Sequence, residues 1–218
     1  YYMAPQWFLN HLDFYDNYDR SVKVFAGEYA AHPEGGGSMN RPQLNTLEGA
    51  LSEAAFMTGV ERNADVVVLA SYAPLFGRLG YSQWSPNMIW FDDEKAYGTP
   101  SYYVQKMYGN FTGNWTLDTK GEQSEFYEKG IYYNPSVSED GTVYLKIVNC
   151  NETDEEIQLN PEGFNFKSQK IVSLGGNDKQ VYNTIEKPSS VKITEEGECA
   201  YTGKIVLKKN SFSVIILK

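Results

Sequence analysis

Hydrophobic and polar positions divide the chain into two parts with different periods. Up to about residue 110, short apolar runs alternate with segments that repeat apolar residues every three or four positions. This spacing predicts the order helix, strand, helix, strand, helix. The helices are predicted at 5–15, 47–62 and 100–108, and the strands at 22–26 and 65–70. The first part of the chain is therefore predicted to be α/β.

The ends of the second and third helices carry the clearest local signals. Asn45 and Glu48 have the spacing of a capping box in front of an apolar helical face. Thr99 followed by Pro100 is typical of a helix start, and Gly109 is typical of a helix end. These signals predict both helices independently of the apolar period.

Both predicted strands are almost entirely apolar, which is typical of parallel strands covered on both faces. Two such strands cannot close a sheet, and their edges and faces need a cover. We therefore expect this part to be the end of a larger α/β domain whose earlier strands lie outside the chain. A (β/α)8 barrel, which typically has about 250 residues, fits this expectation.

After a polar stretch at 113–125 the apolar period changes to two. Short alternating segments, separated by Gly, Asn, Asp and Pro, predict an antiparallel, jelly-roll-like β-sandwich without helices. The predicted organisation is then a C-terminal portion of a barrel at 1–112, a linker at 113–130 and a β-sandwich domain at 131–218.

Composition and charge narrow the classes of partner. The formal net charge is -9 and the pI about 4.8, which argues against nucleic acid and anionic membranes. The 17 Tyr, 11 Phe and 4 Trp fit core packing better than sugar stacking, although both remain open. Cys150 and Cys199 have no metal or redox spacing, and the sequence leaves open whether they pair.

Several ordered motifs resemble one family of enzymes. They are VFAGEYAAH (24–32), the run from NTLEGALSEAAF to SYAPLFGR (45–78), and QWSPNMIWFDDEKAYGTPSYYVQKMYGN (83–110). Together they resemble the C-terminal part of the α-L-arabinofuranosidases of glycoside hydrolase family 51, in the branch shared by plants and Bacteroides-type bacteria. The second half is similar to the β domain of that family in pattern and in its closing KKNSFSVIILK.

The resemblance implies a retaining exo-hydrolase that releases terminal α-L-arabinofuranosyl residues from arabinan, arabinoxylan or arabinogalactan. In that family two glutamates lie at strand ends of a barrel, and Glu28 matches the nucleophile after the seventh strand. The acid/base belongs to an Asn-Glu motif after the fourth strand, and here the one Asn-Glu pair, Asn151-Glu152, falls in the predicted sandwich. The chain by itself is therefore expected to be inactive and to need the missing N-terminal barrel portion of the same protein.

Glu28 also stands out without the resemblance. A carboxylate at the end of an apolar strand loses hydration, so it must be paired, change its pKa or serve a function. A structural cap or ion pair is the more common outcome, and the surrounding motif favours the nucleophile instead. Tyr29 is expected beside it, where it would bond the carboxylate, line the sugar pocket or pack in the core.

The loop after the second strand supplies further candidates for substrate binding. Trp84 and Asn87 resemble a tryptophan and an amide side chain that line the arabinose pocket of the family. Tyr72, at the end of the second strand, is a further candidate for substrate binding. The alternative is a rim loop with one buried tryptophan.

No cofactor and no metal site are expected. His11 and His32 lack metal-ligand spacing and are expected to be surface histidines. The PEGGG segment at 33–37 lacks the Lys-Ser/Thr of a phosphate loop, and the acidic run at 92–94 is expected to be solvated charge.

Partners and location complete the expectations. The expected substrate is an arabinofuranosyl polysaccharide, bare sheet edges favour self-association, and the resemblance implies a periplasmic or secreted protein. The alternative function is a non-catalytic sandwich that binds carbohydrate or braces a barrel. Bracing is favoured, because the aromatic cluster at 125–134 lies at the predicted domain junction.

Overall fold

The computed structural model describes residues 1–33, 40–120 and 123–218. Its first layer is a parallel sheet in the order β1 (Tyr2–Met3), β2 (Val24–Ala31), β3 (Val67–Tyr72). Three helices, α1 (Pro5–Leu9), α2 (Leu47–Arg62) and α3 (Pro100–Asn110), pack beside it, with a short 3-10 helix at Pro42–Leu44. The sheet buries its helix-facing side chains, whereas Phe25, Val68 and Leu69 are 61%, 58% and 55% exposed.

A small sheet follows β3 and was not predicted. It consists of β4 (Phe76–Arg78), β5 (Ile89–Phe91) and β6 (Ala96–Gly98), with β4 parallel and β6 antiparallel to β5. Trp90, in the middle of β5, is fully buried and donates through its Nε1 to the Asn45 side chain. This contact anchors the small sheet to the segment in front of α2.

The second part of the chain is an antiparallel β-sandwich. Its larger sheet contains seven strands, and a two-stranded sheet lies opposite. The larger sheet consists of β7 (Trp115–Thr116), β8 (Ile131–Val137), β9 (Val143–Asn149), β11 (Ser168–Gly175), β12 (Ile193–Glu195), β13 (Cys199–Ala200) and β15 (Ser211–Leu217). β10 (Glu155–Gln158) and β14 (Lys204–Leu207) form the smaller sheet, and the short α4 (Gln123–Glu128) precedes β8.

The larger sheet is covered on both faces. Phe212, Val214 and Ile216 pack with helix residues such as Leu51 in one hydrophobic cluster. Ile215 and Leu217 belong to a second cluster with Ile205 and Leu207 of β14. Every residue of β15 is buried for this reason, although strands of a sandwich were predicted to alternate.

The helix predictions are confirmed for α2, which spans the predicted residues, and for the start of α3. The N-cap of α2 is Thr46, whose Oγ1 accepts from the Gly49 amide, rather than Asn45. α3 continues through Gly109 to Asn110, because Gly109 keeps helical backbone instead of adopting the left-handed form of a C-cap. The first helix ends at Leu9 and gives way to turns, so its prediction to residue 15 was too long.

The division into three segments remains a prediction, and two observations bear on it. α4 lies inside the predicted linker, and no helix follows it in the part of 131–218 that the structure describes. The hydrophobic cluster that holds Leu51 and Phe212 also spans both halves of the chain. The halves therefore share a core instead of meeting through a flexible connection.

Candidate active site at the end of β2

Glu28 lies near the carboxyl end of β2 with its side chain exposed. The hydroxyl of Tyr2, on the neighbouring strand β1, donates to Glu28 Oε2 at 2.7 Å. Partial burial, followed by this hydrogen bond, raises the pKa of Tyr2 above its ordinary value. The tyrosine therefore stays neutral and acts as the donor, while the carboxylate remains accessible.

An irregularity in β2 separates Glu28 from the residue that follows it. The register with β3 shifts between Ala26 and Tyr29, as in a β-bulge. A bulge inserts an extra residue and changes the direction of the side chains around it. Glu28 is consequently exposed, whereas Tyr29 is 1% exposed.

Two aromatic residues complete a cluster around the Tyr2 ring. Trp84 packs edge-on against Tyr2 with ring centroids 5.5 Å apart, and His32 packs against Trp84 at 5.4 Å. We call Tyr2, Glu28, His32 and Trp84 the rim cluster. His32 is fully buried within it, so its prediction as a surface histidine was wrong. His11 is half-buried and stacks on Trp7 at 4.2 Å.

Asn87 is buried and holds the loop that carries Trp84. Its Nδ2 donates to the Trp84 carbonyl at 2.6 Å and to Ser82 Oγ at 3.2 Å. Its backbone amide donates to Asn45 Oδ1 at 3.1 Å. The structure thus brings Trp84 to the rim cluster, and it engages the side-chain amide of Asn87 in holding the loop that carries Trp84.

Tyr29 and Tyr72 lie together in the core, with ring centroids 6.0 Å apart. Tyr29 accepts a hydrogen bond from Gln105 Nε2 at 2.7 Å, and Tyr72 accepts one from Asn45 Nδ2 at 3.3 Å. Of the alternatives considered for Tyr29, the structure favours core packing, and it does not place this side chain beside the Glu28 carboxylate. Tyr72 is packed in the same way.

Sequence reasoning missed Glu53, a buried carboxylate on α2. It is 1% exposed, and its Oε1 accepts from the Ala31 amide at 2.7 Å. Burial raises the pKa of Glu53 to about 7, and hydrogen bonds from Ala31 and Ser101 partly oppose that rise. The signal was present in the sequence, because Glu53 follows Ala50 by three positions on the apolar face of α2.

The other carboxylates considered from the sequence lie elsewhere. Glu152 pairs with Lys179 at 3.0 Å and accepts from Asn210 in the sandwich. Asp92 accepts the amides of Glu94 and Lys95 within a turn. Glu34 and the rest of the glycine-rich segment to Gly37 lie outside the described residues. Glu28 is thus the accessible carboxylate of the rim cluster.

The described ranges contain no group of three or more His, Cys, Asp or Glu arranged to hold a metal ion. Cys150 and Cys199 are both free thiols rather than a disulfide. Within the same ranges, the longest apolar helical stretch falls short of what a membrane crossing requires.

Comparison with protein families places this geometry in context. Residues 27–211 match the family described as α-L-arabinofuranosidase C-terminal domain. An extracellular exo-α-L-arabinofuranosidase from Streptomyces chartreusis is 47% identical over 121 residues, which are 55% of this chain and 13% of that protein. A probable α-L-arabinofuranosidase A from Aspergillus terreus is 31% identical over 218 residues, which cover 99% of this chain and 32% of that protein. The chain therefore spans about a third or less of these relatives.

Solved structures give the same assignment of fold. The arabinose-bound MgGH51 α-L-arabinofuranosidase superposes with a TM-score of 0.87 at 26% identity, covering 100% of this chain and 36% of that one. The α-L-arabinofuranosidase of Thermotoga maritima in its arabinose complex superposes with a TM-score of 0.76 at 20% identity, covering 97% and 47%. The second likeness concerns the fold alone.

Proposed function

The chain belongs to the family of α-L-arabinofuranosidase C-terminal domains, those of glycoside hydrolase family 51, and from this premise we propose that it is part of a retaining exo-α-L-arabinofuranosidase with Glu28 as nucleophile. The observation that carries the proposal is the position of Glu28. Its carboxylate is accessible on β2, three residues before the carboxyl end of the strand, and accepts a hydrogen bond from Tyr2. The acid/base glutamate comes from a part of the protein that this chain does not contain.

The proposal includes the origin of the parallel sheet. β2 and β3 are the seventh and eighth strands of a (β/α)8 barrel, whose strand ends display the catalytic groups. The exposed apolar side chains Phe25, Val68 and Leu69 support this view, since a barrel interior would bury them. The barrel portion spans 1–112, the linker 113–130, and a jelly-roll-like sandwich 131–218.

The mechanism follows from the chemistry of retaining glycosidases. Glu28 attacks the anomeric carbon of the terminal arabinofuranosyl unit while the acid/base glutamate protonates the leaving oxygen, and the glycosidic C–O bond breaks. The acid/base then deprotonates a water molecule, which hydrolyses the covalent arabinosyl-enzyme with net retention. The two carboxyl groups must lie roughly 5–5.5 Å apart for this reaction. Tyr2 holds the attacking carboxylate in position, and Trp84 lines the approach to it.

The test is covalent labelling of the complete protein. A slow fluoro-arabinoside should form an adduct that mass spectrometry of the denatured protein locates on Glu28. Glu28→Gln should reduce kcat by several orders of magnitude and leave the fold intact, whereas the control Glu94→Gln should keep wild-type kinetics. Labelling of another carboxylate, such as Glu34 or Asp92, would overturn the assignment. The 218-residue chain by itself should hydrolyse nothing, because it supplies one carboxylate of the two.

Substrate, location and assembly are part of the same proposal. We assign arabinofuranosyl side chains of plant polysaccharides as substrate and a periplasmic or secreted location; the Streptomyces relative named extracellular supports secretion. From the sequence motifs we also propose that the parent protein belongs to the branch shared by plants and Bacteroides-type bacteria. Self-association, measurable by sedimentation, is expected wherever the sheet edges stay uncovered.

A bracing role is the second function for the sandwich, and the shared hydrophobic cluster favours it over carbohydrate binding. Isothermal titration of the complete Glu28→Gln protein with arabino-oligosaccharides separates the two. Bracing predicts one saturable site per chain, at the catalytic centre. A second site that persists when the catalytic centre is blocked would contradict bracing.

A further inference from the structure

Glu53 occupies a junction where four elements meet. It projects from α2 to the last residue of β2, where its Oε1 accepts from the Ala31 amide. Its charge raises the pKa values of Tyr29 and of Tyr72 on β3, after the larger effect of their own burial. The hydroxyl of Ser101, in the first turn of α3, interacts with the Glu53 carboxyl group and lowers its pKa. Its Oε2 is buried and accepts no hydrogen bond of good geometry from the described residues.

The Ala31 amide needs a partner that the sheet does not provide. The amides of Ala30 and His32 donate to the carbonyl oxygens of Tyr1 and Met3, so the amide between them points to the opposite side of the strand. β3 lies on that side but ends at Tyr72, which pairs with Tyr29. A buried amide without an acceptor is costly. Glu53 supplies the acceptor that a longer strand would have given.

The same strand end carries the candidate nucleophile. Glu28 precedes Ala31 by three residues, and Ala30 pairs with Tyr2, whose hydroxyl bonds the Glu28 carboxylate. The bulge before Tyr29 interrupts regular pairing with β3 at this point. The position of Glu28 and Tyr2 relative to each other thus depends on how the end of β2 is anchored.

We propose that Glu53 is a positioning residue for Glu28: its carboxylate takes the place of a neighbouring strand at Ala31 and so fixes the strand end that carries the nucleophile. The inference rests on the proposed function, because it assumes that Glu28 reacts. Glu53 itself is buried and touches no substrate. It acts through the backbone of β2.

A charged acceptor forms a hydrogen bond roughly twice as strong as a neutral one. The described titratable groups that face Glu53 are Tyr29 and Tyr72, which stay neutral because burial raises their pKa values. Glu53 is therefore the group at this junction that changes charge around neutral pH, consistent with its pKa of about 7. Its anchoring of Ala31 should strengthen as it ionises.

The kinetic test compares Glu53→Ala, Glu53→Gln and the control Tyr108→Phe in the complete protein. Tyr108→Phe removes a different buried hydrogen bond to α2, the one to the Ala54 carbonyl. Glu53→Ala should lower kcat and the rate of Glu28 labelling by up to about 100-fold with KM nearly unchanged, as expected for a displaced catalytic group. Glu53→Gln keeps an acceptor oxygen and should recover most of this loss.

The pH dependence provides a readout that a purely structural role would not move. The ratio of kcat for wild type to kcat for Glu53→Gln should be roughly threefold above pH 7 and approach one below it, because protonated Glu53 resembles glutamine. A ratio that is constant with pH would overturn the proposal. Glu53→Ala kinetics equal to those of Tyr108→Phe would do the same.

Hydrogen exchange at the Ala31 amide checks the contact without any activity measurement. Exchange should be about tenfold or more faster in Glu53→Ala than in wild type, and unchanged in Tyr108→Phe. If exchange at Ala31 is faster in Glu53→Ala but kcat and labelling stay at wild-type values, the positioning role is contradicted and the proposed function still stands. If wild-type protein neither cleaves an aryl arabinofuranoside nor acquires the label, the proposed function fails instead.

Discussion

The hydroxyl of Tyr2 donates a 2.7 Å hydrogen bond to Oε2 of Glu28 across two parallel strands. β1 is only two residues long, and it pairs with the last two residues of β2. Through β1, this hydrogen bond connects the Glu28 carboxylate to Ala30 and Ala31, the part of β2 that follows the bulge. A short strand of this kind contributes little to the core but sets the direction of the Glu28 side chain.

Replacing Tyr2 by Phe should separate orientation from packing. The variant keeps the ring in contact with Trp84 and removes only the donor to Glu28. We expect kcat of the complete protein to fall about tenfold, as for loss of one hydrogen bond to a charged group. Tyr81→Phe is the control, because Tyr81 is 75% exposed and stacks with Arg78 instead. Equal kinetics for the two variants would contradict an orienting role.

Replacing Tyr29 by Phe tests its assignment to the core. The change removes the acceptor of Gln105 and should lower the free energy of unfolding by about 1 kcal/mol, measured in urea. KM for an aryl arabinofuranoside should stay at its wild-type value. Trp84→Phe is the contrasting variant, since it alters the rim cluster and should raise KM. A higher KM for Tyr29→Phe at unchanged stability would instead indicate that Tyr29 lines the sugar pocket.

The stability of Glu53→Gln should depend on pH relative to wild type. Burial raises the pKa of Glu53 from 4.5 to about 7. The protonated carboxyl is thus favoured in the folded state, and the stability that it contributes is present below pH 4.5 and lost as the pH rises to 7. Glutamine has no such loss. Its advantage should grow to about 3 kcal/mol above pH 7, at about 1.4 kcal/mol for each pH unit.

Urea unfolding at several pH values checks this expectation. Ser52→Ala removes a non-titrating buried hydroxyl from the same helix, so its effect should not change with pH. A constant difference between Glu53→Gln and wild type from pH 4 to 8 would show that Glu53 does not titrate in this window.

Lys146 is the fully buried partner of Glu61, at 2.5 Å, and links β9 to α2. Lys146→Met should lower the free energy of unfolding by about 3 kcal/mol, because it leaves a largely buried carboxylate unpaired. Glu61→Leu added to it should recover part of this loss. Lys120→Met is the control, since Lys120 is 83% exposed in its pair with Glu162 and should have no measurable effect. Equal effects of the two lysine substitutions would contradict the difference in burial.

Local sequence signals sufficed where an element is specified by its own residues. The apolar period predicted α2 over its full length, and Thr99-Pro100 predicted the start of α3. The capping prediction failed because the side chain of Asn45 is engaged by Asn87, Trp90 and Tyr72 through long-range bonds. Thr46 caps α2 instead.

Where a strand depends on pairing with a segment far away in the sequence, the prediction was too short or the strand was missed. The apolar run of β2 ends before Glu28, but pairing with β1 and β3 extends the strand to Ala31. The small sheet after β3 exists through similar contacts. At the candidate site the motif singled out Glu28 as a candidate, whereas nothing near Tyr2 in the sequence indicates its hydrogen bond to Glu28. Tyr29 is one residue from Glu28, and only the bulge decides that it faces the core.

The helix α2 packs on β2 on one side and on β8, β9 and β15 on another. Its residues contact two sheets at once, so the packing of one half of the chain constrains the packing of the other. A substitution on α2 that suits a new sandwich also disturbs the strand that carries Glu28. Chimeras made between relatives should therefore be joined upstream of β1, since a junction after α3 would pair one parent's helix with another parent's sheet, and a junction between α1 and β2 would separate Tyr2 from Glu28.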